Sequence, residues 1–240
     1  MHSRAEWLQK RRQLAWERGR QLQSDLLTRF ATTYGYSTTP PPAKIGDEVI
    51  TDILGAELRF DPLPANVFAH TEWVRGRPRV TINSRTADIR GVRDAEGVQN
   101  VAKWHEIIHL VDDAEVVRTD LQGLLPGFQG SRIICYRKPE AHLSSSALSR
   151  EFWAEEAGRA AAVSHEALSR SDAFRELLDL GARAHGPVRQ GWPLLYKAAG
   201  DIGVNISSLV KQLTLEGAIA IAGKNDVVVQ PRLPEVREVG

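Results

Sequence analysis

The chain has 240 residues, of which 42% are hydrophobic and 25% are charged. This apolar content is sufficient for a folded core, so the composition excludes a fully disordered protein. The formal net charge is only +1, so the chain as a whole has no strong attraction for nucleic acid, and its function has to reside in a local site.

The sequence contains no candidate membrane anchor. No apolar run approaches the ~18 residues that a membrane-spanning helix needs, so we expect no membrane partner. Residues 1–20 are rich in charged side chains and lack the apolar stretch of a secretory signal. The single cysteine, Cys135, cannot form a disulfide within the chain, which is typical of a reducing compartment. These features predict a cytoplasmic protein.

The N-terminal segment is predicted to form a long basic helix. Residues 4–30 contain no proline. An apolar stripe at helical spacing is formed by Leu22, Leu26, Leu27 and Phe30. Basic side chains outnumber acidic ones, which is compatible with an arm that contacts DNA or an acidic partner and with an ordinary solvated helix face. We assign residues 1–36 to this helix, because the three prolines at 40–42 cannot continue it.

The next segment predicts a small sheet with helices packed on it. Residues 45–54 are predicted to form a helix that ends at Gly55. Alternating apolar and polar residues predict short strands at 57–60 and 79–83, the second of them after a turn. A helix, two strands and a further helix in this order indicate an α+β fold with a small mixed or antiparallel sheet.

Further helices are predicted over 96–111, 149–168 and 173–184. Between the first two of these, residues 121–149 have no sustained hydrophobic period and contain several glycine, proline and serine residues. A segment of this length without regular structure is uncommon within a compact domain and is often a lid or a binding loop. We therefore expect an insert at 121–149.

The most informative pattern is H-E-I-I-H at residues 105–109, within a predicted helix. Residues four apart lie on one face of a helix, so the rings of His105 and His109 can reach one metal ion. Glu106 lies next to His105 and can approach a water held by that ion. Two imidazole ligands and a carboxylate base are the arrangement of H-E-x-x-H zinc peptidases. The alternative is two surface histidines beside a solvated glutamate.

A catalytic zinc ion needs a third protein ligand and one open position. Asp112, Asp113 and Glu115 follow the histidines closely. Glu115 has the spacing of the third histidine in an H-E-x-x-H-x-x-G-x-x-H site, but that arrangement needs glycine at position 112. The acidic helix at 150–158 is therefore the better source of the third ligand.

Glu151 and Glu155 of this acidic helix are four residues apart, so their carboxylates share one face. If the helix runs antiparallel to the histidine helix, one of them can reach the ion and the other the back of a ligand histidine. Glu151 is the preferred ligand, and Glu155 and Glu156 are the alternatives. A solvated acidic patch would have the same spacing.

Three segments together resemble the ImmA/IrrE family of zinc metallopeptidases. They are the strand at 79–83, the H-E-I-I-H helix at 105–109, and the run Glu151-x-x-Ala154-Glu155. The family carries a strand ending in asparagine, an H-E-x-x-H helix and a later helix of the form E-x-x-A-(N/D)-x-F-A. Here Glu155 takes the Asn or Asp position, and Ala157 and Gly158 stand where the family has Phe-Ala.

The resemblance implies a zinc metallopeptidase domain at 43–185 with a helical zincin-like core. Zn²⁺ would be the cofactor, held by His105, His109 and Glu151, and Glu106 would be the catalytic base. We expect the strand at 79–83 to be a sheet edge beside the cleft, to which an extended substrate can add by main-chain hydrogen bonds. Candidates for stabilising the oxyanion are Tyr136, His142, His165, His185 and Tyr196.

The C-terminal region, 190–232, resembles a helix-turn-helix followed by a winged hairpin. Small Ala199 permits a close helix crossing and Gly203 permits the turn. A helix that reads DNA needs basic or amide residues early in its sequence, and this region offers few. Residues 193–230 are therefore predicted to pack against the core or to recognise substrate, with weak DNA contact as the alternative.

The family resemblance also implies the substrate. It would be a helix-turn-helix transcriptional repressor, whose cleavage releases phage, mobile-element or stress-response genes. Two alternatives remain open. In the first, the protein is a DNA-binding transcriptional regulator with a structural or sensory metal site. In the second, it is a toxin–antitoxin component with a degenerate peptidase fold.

Overall fold

A computed structural model of the protein has an α+β fold, in agreement with the predicted class. It describes residues 4–114, 132–136, 145–184, 186–189, 191–222 and 226–230. The helices are α1 (Arg4–Tyr34), α2 (Gly46–Glu48), α3 (Ala95–Asp112), α4 (Ser145–Ala162), α5 (His165–Arg170), α6 (Asp172–Arg183), α7 (Gly191–Ile202) and α8 (Ile206–Leu215). The strands are β1 (Glu57–Asp61), β2 (Val67–Val74), β3 (Arg77–Asn83), β4 (Arg132–Tyr136), β5 (Ile219–Ile221) and β6 (Val227–Val229).

Strands β1 to β4 form a mixed sheet in the order β1-β3-β2-β4. Strand β1 runs parallel to β3, and β2 runs antiparallel to both β3 and β4. Strand β3 therefore lies inside the sheet, and the prediction that residues 79–83 form an edge is wrong. The reason is the unpredicted strand β2, which covers the open side of β3. The buried face of β2 carries Thr71 and the opposite face carries Phe68 and Val74, so apolar and polar residues do not alternate regularly along its sequence.

Part of the predicted insert at 121–149 has regular structure. Residues 132–136 form β4, which pairs with β2, and α4 begins at Ser145 rather than at residue 149. For these residues the prediction is wrong, because a strand stabilised by pairing with a distant neighbour need not show a period of its own. The remaining residues of the insert, 121–131 and 137–144, lie outside the described residues.

The helix predicted over 149–168 is two helices in the structure, α4 and α5. The break lies at Val163 and Ser164, which are not helical. Ser164 caps α5, because its side-chain oxygen accepts a hydrogen bond from the backbone N–H of Ala167 at 3.3 Å. Ser164 thus marks the boundary between α4 and α5, which the spacing of the hydrophobic residues did not reveal.

Helix α1 runs from Arg4 to Tyr34, within the segment 1–36 that the sequence predicts to be helical. It packs along α4, and its predicted apolar stripe is buried. Gly19 allows the close approach, because a Cβ atom at this position would collide with the carbonyl oxygen of Ala157. The buried carboxylate of Glu156 accepts hydrogen bonds from Trp16 at 3.0 Å and from Arg12 at 3.2 Å, which fixes α1 against α4.

The opposite side of α4 packs against α3. A Cβ atom added to Gly158 would lie 2.8 Å from both the Cα and the N of His105, closer than real Cβ atoms approach backbone. Glycine at 158 therefore lets the two helix backbones touch at the first histidine of the H-E-I-I-H pattern. Helix α4 therefore packs closely against α1 at Gly19 and against α3 at Gly158.

The C-terminal region contains two helices and a hairpin. Helices α7 and α8 are joined by a turn in which Gly203 has a φ of +80°, a conformation that favours glycine. Strands β5 and β6 pair antiparallel, as predicted for the hairpin. One buried apolar core continues from Ala15 in α1 to Val227 in β6, so the predicted segments 1–36, 43–185 and 190–232 pack around a shared core.

Among the helices of the described part of the chain, none has the length and apolar character needed to cross a bilayer.

We expect Gly158→Ala to destabilise the protein by about 1–3 kcal/mol, because the added methyl group forces α3 and α4 apart. Gly200→Ala in α7 is the matched control. A Cβ atom there meets no atom within 4 Å, so alanine should stabilise the helix by about 0.5–1 kcal/mol. Urea denaturation of the two variants measures the difference. Equal effects on the free energy of unfolding would contradict the proposed contact between the helices.

Candidate metal centre

Three side chains converge where α3 and α4 face each other. The Nε2 atoms of His105 and His109 lie 2.9 Å apart. The carboxylate of Glu151 reaches both rings, with Oε2 3.4 Å from His105 Nε2 and Oε1 3.4 Å from His109 Nε2. The three ligand atoms lie within 4.8 Å of one another, so they can hold a single metal ion. Glu151 is therefore in the position predicted for the third ligand.

A fourth side chain fixes the ring of His109. The Nδ1–H of His109 donates to Asp113 Oδ2 at 2.6 Å, which leaves Nε2 to face the cluster. We predicted that a carboxylate of the acidic helix, Glu155, would contact the back of a ligand histidine. That prediction is wrong, because Asp113 lies one helical turn after His109 and reaches the ring first. Glu155 pairs instead with Lys211, 2.5 Å away.

Glu106 lies beside the cluster and is completely buried. Its Oε2 accepts a hydrogen bond from Thr71 Oγ1 in β2 at 2.6 Å. Its other oxygen, Oε1, has no hydrogen-bond partner among the described residues. A buried carboxylate oxygen without a partner is costly, so its presence indicates that a ligand or water belongs there.

Burial and neighbouring charges shift the pKa values of this cluster. Burial raises the pKa of Glu106 above its usual range. Burial alone would lower the pKa of His109, but its hydrogen bonds to Asp113 and Glu151 outweigh this effect and raise the pKa to about 10. Burial would likewise raise the pKa of Glu151, but hydrogen bonds from His105 and His109 lower it to about 2. At pH 7 the carboxylate of Glu151 is thus ionised, and the ring of His109 carries protons on both nitrogens.

The donor set fits a zinc ion. Two imidazole nitrogens and one carboxylate oxygen are a ligand set of catalytic zinc sites, whereas calcium and magnesium are held by oxygen ligands, and three protein ligands leave a fourth position for water or substrate. The carboxylate of Asp113 behind His109 completes the carboxylate–histidine pair that is common at zinc sites. The residues present therefore agree with the predicted cofactor, and the identity of the metal stays a prediction.

A cavity of about 870 Å³ adjoins the cluster. His105 and Glu151 line it together with residues 205–208 at the start of α8. Further lining residues come from β2, α3, α4, α7 and the segment 91–94. Two of the three ligand residues, His105 and Glu151, are therefore accessible from a cavity that is partly enclosed by the C-terminal helices.

The remaining predicted acids have other partners. Asp112 accepts hydrogen bonds from Arg18, at 2.6 Å, and from Trp153, at 3.0 Å, so it belongs to the contact between α1, α3 and α4. Glu156 is held by α1 and by Arg159 at 2.5 Å. Glu115 lies outside the described residues.

The predicted oxyanion-stabilising residues are only partly described. His165 pairs with Glu216 at 2.8 Å, and Tyr196 lines the cavity. His142 and His185 lie outside the described residues, as does the side chain of Tyr136. Sequence reasoning missed Thr71, because β2 itself was not predicted. Asp113 was considered as a ligand and not as the partner of His109, although its four-residue spacing from His109 was visible.

Comparisons with known proteins give no match to this chain among family models, curated proteins or solved structures.

Zinc binding should release protons, and the affinity should fall as the pH falls. With a pKa of about 10, His109 holds its second ring proton at pH 7, and that proton has to leave before Nε2 can bind metal. Because Glu151, with a pKa of about 2, is already ionised, we expect about one proton from His109 for each zinc bound. Calorimetry of zinc binding in two buffers of different ionisation enthalpy counts the released protons.

Asp113→Asn is the control for this measurement. It replaces one of the two carboxylates whose hydrogen bonds raise the pKa of His109, so it should reduce the number of protons released and weaken zinc binding about 10–100-fold. Zinc binding without proton release by the unmodified protein would contradict a protonated His109.

Proposed function

We propose that this protein is a zinc-dependent endopeptidase, a hydrolase of the H-E-x-x-H type. The observation that carries the proposal is the buried carboxylate of Glu106. Thr71 holds one of its oxygens at 2.6 Å, and the other has no partner among the described residues. This oxygen lies beside a His105–His109–Glu151 cluster that can hold a metal ion. A ligand cluster with a positioned base is what metal-assisted hydrolysis requires.

Zinc at this site would supply Lewis acidity, which lowers the pKa of water and polarises a carbonyl group. The protein residues supply the remaining steps. Glu106 Oε1 accepts a proton from the attacking water and delivers it to the nitrogen of the leaving amine. Glu151 and the histidines fix the position of the metal, and Asp113 keeps His109 in the tautomer that presents Nε2.

The sheet edge near the site offers a place for an extended peptide. Within the described residues, β4 pairs on one side only, with β2, and β2 carries Thr71. A substrate strand can add to β4 by main-chain hydrogen bonds. We propose β4 for this role in place of β3, which has neighbours on both sides.

The proposed substrate is a protein, specifically a helix-turn-helix transcriptional repressor. This part of the proposal rests on the resemblance of residues 79–83, 105–109 and 151–155 to the ImmA/IrrE family. The same resemblance supports a role in repressor cleavage during a stress response in the cytoplasm.

DNA contact through residues 193–230 stays a prediction. The first turn of α8, which would approach DNA in that interpretation, lines the cavity beside the metal ligands. This position favours substrate recognition over DNA binding.

Glu106→Gln tests the proposed base. The amide keeps the shape of the side chain but cannot accept the proton, so we expect one equivalent of zinc to remain and hydrolysis to fall by ~10²–10⁴-fold. Metal content is measured by mass spectrometry, and hydrolysis with a quenched-fluorescent peptide library. Glu17→Gln, on the exposed face of α1, is the matched control and should retain activity. Undiminished hydrolysis by Glu106→Gln would disprove the assigned base.

Thr71→Val tests the residue that positions Glu106. Valine has the shape of threonine without its hydroxyl, so Oε2 of Glu106 loses its donor and the carboxylate can rotate. We expect kcat to fall about tenfold with little change in KM, because substrate binding is not affected. Thr71→Ser restores the hydroxyl and should recover most of kcat. A loss of equal size in both variants would indicate a packing effect.

A further inference from the structure

The cavity beside the metal ligands is largely apolar. Residues from five elements line it: β2, α3, α4 and the C-terminal helices α7 and α8. Its principal apolar lining residues are Phe68, Val98, Val101, Phe152, Tyr196 and Ile206. The ring of Tyr196 is half exposed, and the other five are partly buried, so apolar surface remains accessible within the cavity.

This apolar surface is continuous with the metal ligands. Val98, Val101 and His105 lie on one face of α3, because they are separated by three and four residues. On α4, Leu148 lies three residues before Glu151, on the same face, and also lines the cavity. A group bound to the metal would therefore have apolar side chains as its immediate neighbours along both helices.

The charged residues of the lining leave no net charge to attract a charged side chain. Three are basic and three are acidic: Arg93, Arg159, Lys211, Asp94, Glu151 and Glu155. Glu155 is neutralised by Lys211 at 2.5 Å and by Arg159 at 3.3 Å. Glu151 faces the histidines. The lining therefore favours neither an acidic nor a basic ligand.

The part of the lining that belongs to the start of α8 is fixed in position by contacts to α3. The side chain of Asn100 donates to the backbone oxygen of Gly203 at 2.9 Å. A Cβ atom at Gly97 would lie 2.5 Å from the backbone nitrogen of Asn205, so the start of α8 touches the start of α3. The residues that follow, Ile206 to Ser208, are thereby held in the lining of the cavity that His105 and Glu151 also line.

From this arrangement we infer that the cavity binds a large apolar side chain of the substrate next to the bond that is cleaved. The inference rests on the proposed peptidase function. In it, the C-terminal helices α7 and α8 contribute residues that select the substrate side chain. Because a phenylalanine or leucine side chain would be buried against these residues, we expect it to be preferred over glycine by about tenfold or more in affinity.

Gly200 in α7 provides the means to test this inference. It lines the cavity, it is exposed, and a Cβ atom at this position meets no atom within 4 Å. Gly200→Phe therefore places a ring in the space proposed for the substrate side chain without a clash at its Cβ. Gly186→Phe is the matched control, because Gly186 is also exposed, has equal room and does not line the cavity.

The experiment compares two metal-binding probes, glycine hydroxamate and phenylalanine hydroxamate, which differ only in the benzyl group. Their dissociation constants are measured by calorimetry with the zinc-loaded full-length protein. We expect the phenylalanine compound to bind at least about tenfold more tightly. Gly200→Phe should abolish this preference and leave binding of the glycine compound unchanged, and Gly186→Phe should keep the preference.

Equal affinities for the two probes, or an unchanged preference in Gly200→Phe, would overturn the inference and leave the metal centre intact. Failure of the protein to retain zinc, or of both probes to bind the zinc-loaded protein, would overturn the proposed peptidase and the inference with it. Metal content measured on the same samples separates these two results.

Discussion

The contact between α3 and α4 at Gly158 is the constraint on which the candidate site depends. Two histidines one turn apart make only half of a zinc site, and the third ligand has to come from a helix distant in sequence. Because Gly158 has no side chain, the α4 backbone can touch α3 at His105. Glu151, two turns earlier on α4, then reaches both histidine rings at 3.4 Å. A separation of even one methyl group would move the carboxylate relative to the rings.

Helix α1 stabilises the same contact from the other side. Three of its basic residues form ion pairs within the protein: Arg12 with Glu156, Arg18 with Asp112 and Arg20 with Glu216. Two of these acids belong to α4 and α3, so α1 binds both helices that carry the metal ligands. The excess of basic residues in α1, which was compatible with DNA contact, is thus partly neutralised by carboxylates of the same protein. The three arginine side chains are 28–38% exposed, so solvent screens these pairs and we expect them to orient α1 more than to add net stability.

The sequence predicted local features of the site and missed those that depend on distant pairing. The H-E-I-I-H helix and the Glu151 spacing are periodic patterns within single helices, and both agree with the structure. Strand β2 was missed because its apolar residues lie on both faces and do not alternate with polar ones, and Thr71 was missed with it. The position of β3 within the sheet depends on pairing with distant strands, which no local pattern encodes. The contact of Asp113 with His109 is local, and its four-residue spacing could have indicated it.

The charges of the cluster give an independent reason for a cation between these residues. Glu106, Glu151 and Asp113 place three carboxyl groups around two imidazole rings in a largely buried region. Within the protein alone, hydrogen bonds to Asp113 and Glu151 raise the pKa of His109 to about 10, and burial raises the pKa of Glu106. A divalent cation would replace the second ring proton of His109, because it stabilises the ionised carboxylates and binds the neutral rings. It would also lower the pKa of Glu106 and so favour the ionised form that a base needs, so metal binding and proton transfer depend on the same buried cluster.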